Sequence, residues 1–257
     1  MGEPGRVGNF GRAGVRWHAA AGSLAALSGL QYREMRVRPY EQRDRSEVRR
    51  ICHETGFMGE PVDWLWRDRE SFADAFSGYW TDREPESALV VETGDEDGEG
   101  PARRVVGYLL GCVDTKKVPS IVRVLWPHVI HRGLLIRGGT APVLWRSMAD
   151  IAGDIVRERK LPMEDLLDER WPSHLHIDLL PEARGRGLGS QLVERYLDYL
   201  RGVGSAGCHL ETIFENRNAV AFFKANGFQL HGDPRPSPGW RSRSGERLHI
   251  QVMVRSL

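Results

Sequence analysis

The residues best placed to do chemistry lie in one stretch, HLHIDLLPEARGRGLGSQLVERYL, residues 174–197. His176 and Asp178 are two apart on a strand-like run, so they share one face, and His174 shares it with them. Histidine titrates near neutral pH and suits proton transfer, and a carboxylate beside it can orient or charge the ring. Glu211, on a later strand-like run, is a third candidate base. The same polar groups would serve equally as hydrogen-bonded structural residues near the end of a sheet. A bulge in the strand would also reverse the parity that brings them together.

The run ends at Pro181, and Gly185, Gly187 and Gly189 follow in alternation. A helix then carries Leu188, Leu192, Tyr196 and Leu200 on one stripe. A strand, a glycine turn and a helix N-terminus aim free backbone N–H groups at one point. Glycine lets a ligand approach that backbone closely. With Arg184 and Arg186 beside it, the turn reads as a site for a pyrophosphate or another anion. It could also be a tight turn with surface arginines. G-R-G-L-G is not the G-x-G-x-x-G dinucleotide pattern, and no G-x-x-x-x-G-K-[ST] occurs.

These residues need elements to hold them. MRVRPY (35–40) reads as a short strand, and EQRDRSEVRRICHETG as a helix with Val48, Ile51 and Cys52 inward and Gly56 as its stop. SALVVET (87–93) and VVGYLLGCVDT (105–115) read as strands around an acidic, glycine-rich turn. Residues 116–172 read as an insertion with a helix over 143–160 and a short helix or loop at MEDLLDERW. HLHIDLL (174–180), CHLETI (208–213), FQLHG and RLHIQVMV are strands, and residues 189–204 and 218–226 are helices. The order predicts an α/β fold around a mixed central sheet flanked by helices. Residues 1–31, rich in Gly, Ala and Arg, read as a disordered extension, and residues 32–257 as one domain.

The 257 residues carry a net charge of only +1, too balanced for a broad nucleic-acid-binding surface. Hydrophobic residues make up 40% and charged residues 28%, so a folded core is expected. No apolar run is long enough to span a bilayer, so no membrane partner is expected. Cys52, Cys112 and Cys208 are odd in number and far apart, which points to reduced thiols in a cytoplasmic protein and to no metal site.

The sequence resembles the GNAT superfamily of N-acetyltransferases. R-G-R-G-L-G at 184–189 is similar to that family's [QR]-x-x-G-x-[GA] pattern. E-N-R-N-A-V-A-F-F-K-A-N-G-F at 215–228 looks like its later N-x-x-A-x-x-x-Y-x-x-x-G-F signature, with Asn216, Ala219, Phe223, Gly227 and Phe228 at the marked places. The stretch from His174 to Gly189, with the insertion before it, also resembles the acetyltransferase-like domains of O-GlcNAcases and their bacterial relatives. The resemblance implies acetyl-CoA as co-substrate and no metal. It implies two parallel strands splayed where the cofactor enters, with Leu179 and Leu180 offering backbone groups to the pantetheine arm. It implies that N–H groups of Arg184, Gly185, Arg186, Gly187, Leu188, Gly189 and Ser190 hold the pyrophosphate. Asn216 would bond the pantetheine end, and Phe222 or Phe223 would pack beside it.

The implied reaction is acetyl transfer to the primary amine of a small-molecule acceptor by direct attack on the thioester. Phe223 stands where the family has its tyrosine proton donor, which equally fits an inactive CoA- or ligand-binding module. Trp64, Trp66, Tyr79, Trp80, Trp126, Trp145 and Trp171 could wall an acceptor site, although most should be core. Dimers are frequent in that family, so a homodimer is a further expectation.

Overall fold

The computed structural model describes residues 1, 34–94, 103–157 and 168–257. The expectations for residues 1–31, for the middle of the acidic turn and for the start of MEDLLDERW lie outside the described residues. Residues from Glu34 onward form one compact unit.

Seven strands make one mixed sheet in the order β1-β2-β3-β4-β5-β7-β6. They are β1 (Met35–Pro39), β2 (Leu89–Thr93), β3 (Arg104–Cys112), β4 (Ser173–Leu179), β5 (Gly207–Ile213), β6 (Gln229–Arg241) and β7 (Arg247–Ser256). β4 and β5 run parallel, and the other described neighbours are antiparallel. The register from Gly107↔Leu179 to Cys112↔His174 is unbroken, so no bulge disturbs the parity of β4.

Helices cover both faces. Helix α1 (Arg45–Thr55) buries Val48, Ile51 and Cys52 and stops at Gly56, as its spacing requires. Helices α2 (Arg69–Ala73) and α3 (Tyr79–Arg83) follow, joined by a π-turn over Asp74–Gly78. Ring stacking of Trp80 on His174, 5.9 Å between centroids, sets α3 against the face that carries His174 and His176. Helix α6 (Leu188–Gly202) lies on the opposite face. Its Tyr196 hydroxyl sits 3.0 Å from the Cys112 carbonyl and 2.9 Å from the His174 carbonyl. The close approach needs Gly111, where a Cβ would stand 2.3 Å from the Tyr196 ring. Helix α7 (Arg217–Ala225) follows β5 and buries Val220 and Phe223.

The insertion differs from its sequence reading. Besides α5 (Ala141–Val156), it contains a helix the sequence did not reveal, α4 (Ile121–Arg132). Its inward side, with Ile121, Val124, Leu125 and Val129, is only half-buried, and Val122, Trp126 and Ile130 make the outward side apolar too, which blurs the stripe that marks a helix in sequence. Leu125 packs against the core, and polar side chains add to its hold: His128 Nε2 lies 2.8 Å from Asp74, and Arg132 donates to Asp68 at 2.7 Å. Helix α5 is likewise fixed to the last strands through Asp150–Arg241 at 2.7 Å and Asp154–Arg247 at 2.5 Å. Trp126 and Trp145 are 61% and 57% exposed, which corrects their reading as core residues.

Candidate active site

Strands β4 and β5 pair only at Ser173↔Cys208 and His174↔His209. Past that point β4 keeps its pairing with β3 while β5 keeps its pairing with β7, so an opening separates the two parallel strands. Backbone groups alternate along a strand, and this decides which of them face the opening. Leu180 N–H donates to the Val106 carbonyl at 2.9 Å, and the Leu180 carbonyl accepts from Ala183 N–H at 2.9 Å. Both its backbone groups are spent within the protein, which corrects the expectation that Leu180 offers them to a ligand. Ile177 and Leu179 have the opposite parity: Ile177 turns both its groups to the opening and Leu179 its N–H, the Leu179 carbonyl being engaged by Arg184; the sequence reading missed Ile177.

The glycine turn sits above this opening. Gly185 and Gly187 adopt φ of +69° and +76°, in the left-handed region where glycine is favoured. A Cβ added at either would have no heavy atom within 4 Å, so the backbone is approachable from outside. The first helical turn bond is Gln191 N–H to the Gly187 carbonyl at 3.1 Å. No side chain caps this helix. The N–H groups of Leu188, Gly189 and Ser190 are therefore the donors that a helix start leaves without helical partners. Gly189 closes the floor: a Cβ there would stand 3.1 Å from the Phe222 ring and 3.4 Å from Leu179.

Arg184 has another role than the sequence suggests. Its N–H donates to the Pro181 carbonyl at 3.2 Å. Its guanidinium donates to the Leu179 carbonyl at 2.8 Å and the Gly59 carbonyl at 2.6 Å. It braces the glycine turn against the turn at residues 57–60 instead of supplying an N–H to an anion, a correction to its expected place among the pyrophosphate donors. Arg186 is exposed on the turn.

Asn216 begins α7, where its Oδ1 accepts from Ala219 N–H at 3.2 Å. The cap occupies the carboxamide oxygen and leaves Nδ2 as the end to offer a ligand. Phe222 is the phenylalanine at the opening, packed beside Gly189. Phe223 is buried against Phe222 and Phe228, with centroids 5.1 Å and 5.8 Å away. It belongs to the core, and its place in the motif reflects packing as well as any ligand.

His176 and Asp178 stand on β4 alongside the opening, on the α1 and α3 face. His176 Nε2 lies 3.0 Å from Asp178 Oδ2. The same oxygen accepts from the Tyr108 hydroxyl at 2.7 Å. Tyr108 is fully buried on β3. Burial, then the charge of Asp178, pushes its hydroxyl well above the usual phenol range. The sequence reading missed Tyr108; a tyrosine within the otherwise apolar VVGYLLGC was its only signal. His174 packs deeper, and burial, then charge on His209 and His176, holds it well below the usual imidazole range. Glu211 stands across the opening on β5, exposed and paired in register with Val252. Among the described residues, no group of three His, Cys, Asp or Glu side chains could hold a metal ion.

Known proteins share this fold. Residues 163–228 match the model of the Acetyltransferase (GNAT) family. The crystal structure of SsHAT is 28% identical, with a TM-score of 0.56 over 87% of this chain and 98% of that one. The structure of yncA from Salmonella typhimurium with its cofactor acetyl-CoA gives a TM-score of 0.50 at 15% identity, over 87% of this chain and 94% of that one. A GNAT superfamily phosphinothricin acetyltransferase from Sinorhizobium meliloti in complex with AcCoA gives 0.50 at 17% identity, over 87% and 88%. The family match falls on the strand, glycine turn, helix and Asn216 segment that build the opening, and this segment is similar to the GNAT acetyltransferases.

Proposed function

We propose that the protein transfers the acetyl group of acetyl-CoA to a primary amine of a small-molecule acceptor. The observation that carries this reading is the opening between β4 and β5, with approachable glycine N–H groups above it and the His176–Asp178 pair at its side. The N–H groups of residues 185–190 suit the pyrophosphate, with Arg186 adding charge. Backbone groups of Ile177 suit the pantetheine arm, Asn216 Nδ2 its amide, and Phe222 its apolar flank. The donor supplies a thioester carbonyl. An alkylamine is protonated at neutral pH, with a pKa of about 10.4, and must lose a proton before it attacks. His176 takes that proton while Asp178 orients the ring. The Leu179 N–H, turned to the opening, stabilises the oxyanion.

Phe223 cannot protonate the departing thiolate. A thiol of pKa about 8.5 leaves without an acid, so water suffices. On the acceptor side, Phe57, Trp64 and Trp240 form an aromatic group, with Phe57–Trp64 centroids 4.8 Å apart. Trp64 is 38% exposed, which favours an apolar or aromatic amine. Three buried free thiols support a reducing, cytoplasmic setting.

Phe223 also favours a second reading, a CoA-binding module without turnover. Calorimetric titration with acetyl-CoA, followed by thiol release against a panel of amines, separates the two. Binding with release supports the enzyme, binding without release from any amine supports the module, and absence of binding overturns both.

A further inference from the structure

We infer that Tyr108 is a positioning residue which, through Asp178, fixes His176 as the Nε2–H tautomer, so that Nδ1 is the atom that accepts the proton. The inference deepens the proposed function and takes its catalytic meaning from it. The argument is a count of donors and acceptors around one oxygen. Asp178 Oδ2 lies 2.7 Å from the Tyr108 hydroxyl and 3.0 Å from His176 Nε2. As a carboxylate, Asp178 only accepts. Both neighbours must therefore donate to it. A neutral imidazole has one N–H, and once this N–H sits on Nε2, the lone pair sits on Nδ1.

Tyr108 is what makes the arrangement one-way. Its ring is fully buried on β3, in register with Asp178, so the hydroxyl has one direction in which to point. The single Tyr108 proton goes to Asp178 Oδ2, with His176 donating to the same oxygen from the other side. The Tyr108 and His176 rings stack with centroids 6.1 Å apart, which further limits rotation of the imidazole.

The test is nitrogen NMR on the full chain carrying 15N-labelled histidine, with the His176 signals assigned by their loss in His176→Gln. At a pH where the ring is neutral, the expected spectrum shows Nε2 protonated and Nδ1 bare. A predominantly Nδ1–H ring overturns the inference. Tyr108→Phe removes the hydroxyl that holds the Asp178 carboxylate in place and leaves it free to turn from His176, and the expected result is a mixture of the two tautomers. A tautomer ratio unchanged from the parent shows that Tyr108 does not set it. Should that variant fail to fold, Asp178→Ala serves: it removes the acceptor of the Nε2–H, and the ring should become a mixture of the two tautomers. A ring that stays wholly Nε2–H there overturns the inference. These readouts need neither acetyl-CoA nor turnover, so an inactive protein would sink the proposed reaction and leave the tautomer assignment standing. Where turnover is measured, Tyr108→Phe should lower kcat roughly tenfold. Its KM for acetyl-CoA should stay within about twofold, because the residue does not touch the glycine turn. A changed KM with unchanged kcat would overturn the positioning role.

Discussion

His174 on β4 and His209 on β5 form the last register pair between the parallel strands, with ring centroids 5.2 Å apart. His209 Nδ1 lies 2.8 Å from the Trp171 carbonyl, and Trp80 stacks on His174. The two imidazoles fill the point at which the strands begin to part. Their packing sets the foot of the opening, and the pair lies too deep to serve as the exposed base.

A stability effect follows from that packing. His174 is held well below the usual imidazole range, so between its folded value and about 6.5 the unfolded chain binds more protons than the folded one. Stability is therefore full above about pH 6.5 and is lost as pH falls below it, by about 1.4 kcal/mol per pH unit for each such histidine. His53, lowered by its own burial, acts in the same direction. Urea unfolding between about pH 7.5 and 5.5 should show this slope, and His174→Gln should remove about one proton of it. A variant with the parent's slope would mean that His174 is protonated in the folded protein.

Gly187→Glu should lower acetyl-CoA affinity more than about 100-fold, since a carboxylate would face the anion-binding N–H groups. The fold should survive. Nothing lies within 4 Å of the added Cβ, and the cost is that of a left-handed residue, about 1–2 kcal/mol. Gly187→Ala carries the same strain without the charge and should retain affinity within about tenfold. Calorimetric titration and urea midpoints of both variants separate charge from strain. Equal losses in the two would show that backbone conformation, and not charge, governs the site.

Arg184→Gln should loosen the turn at residues 57–60 while leaving the sheet intact. The guanidinium spans the Leu179 and Gly59 carbonyls, and it is exposed, so the pair of bonds contributes roughly 1 kcal/mol. Amide exchange at Gly59 and Glu60 should rise about fivefold, with a fall of similar size in acetyl-CoA affinity. Arg184→Lys should not restore either quantity, because an ammonium cannot reproduce the planar fork. Unaltered exchange in the Gln variant would remove the brace from the account.

Much of the fold was legible in the sequence because its signals are local. Alternation marks β4, the stripe from Leu188 to Leu200 marks α6, and Gly56 and Gly227 mark helix ends. Gly185 and Gly187 announce a backbone that must turn left-handed, and their order with Asn216 carries the resemblance to the GNAT family. The face shared by His176 and Asp178 follows from a period of two. The rest depended on contacts between distant segments. Helix α4 is apolar on both its half-buried and its exposed side, so its sequence shows no clear amphipathic pattern, and Asp68 and Asp74 from elsewhere in the chain help to hold it. Leu180 is spent on Val106, Arg184 on Gly59, and Asp178 shares its oxygen with Tyr108, each across a strand or loop boundary. Residue types determined which groups could donate or accept; the packing of β3 and the turn at 57–60 against β4 decided which of them were already taken.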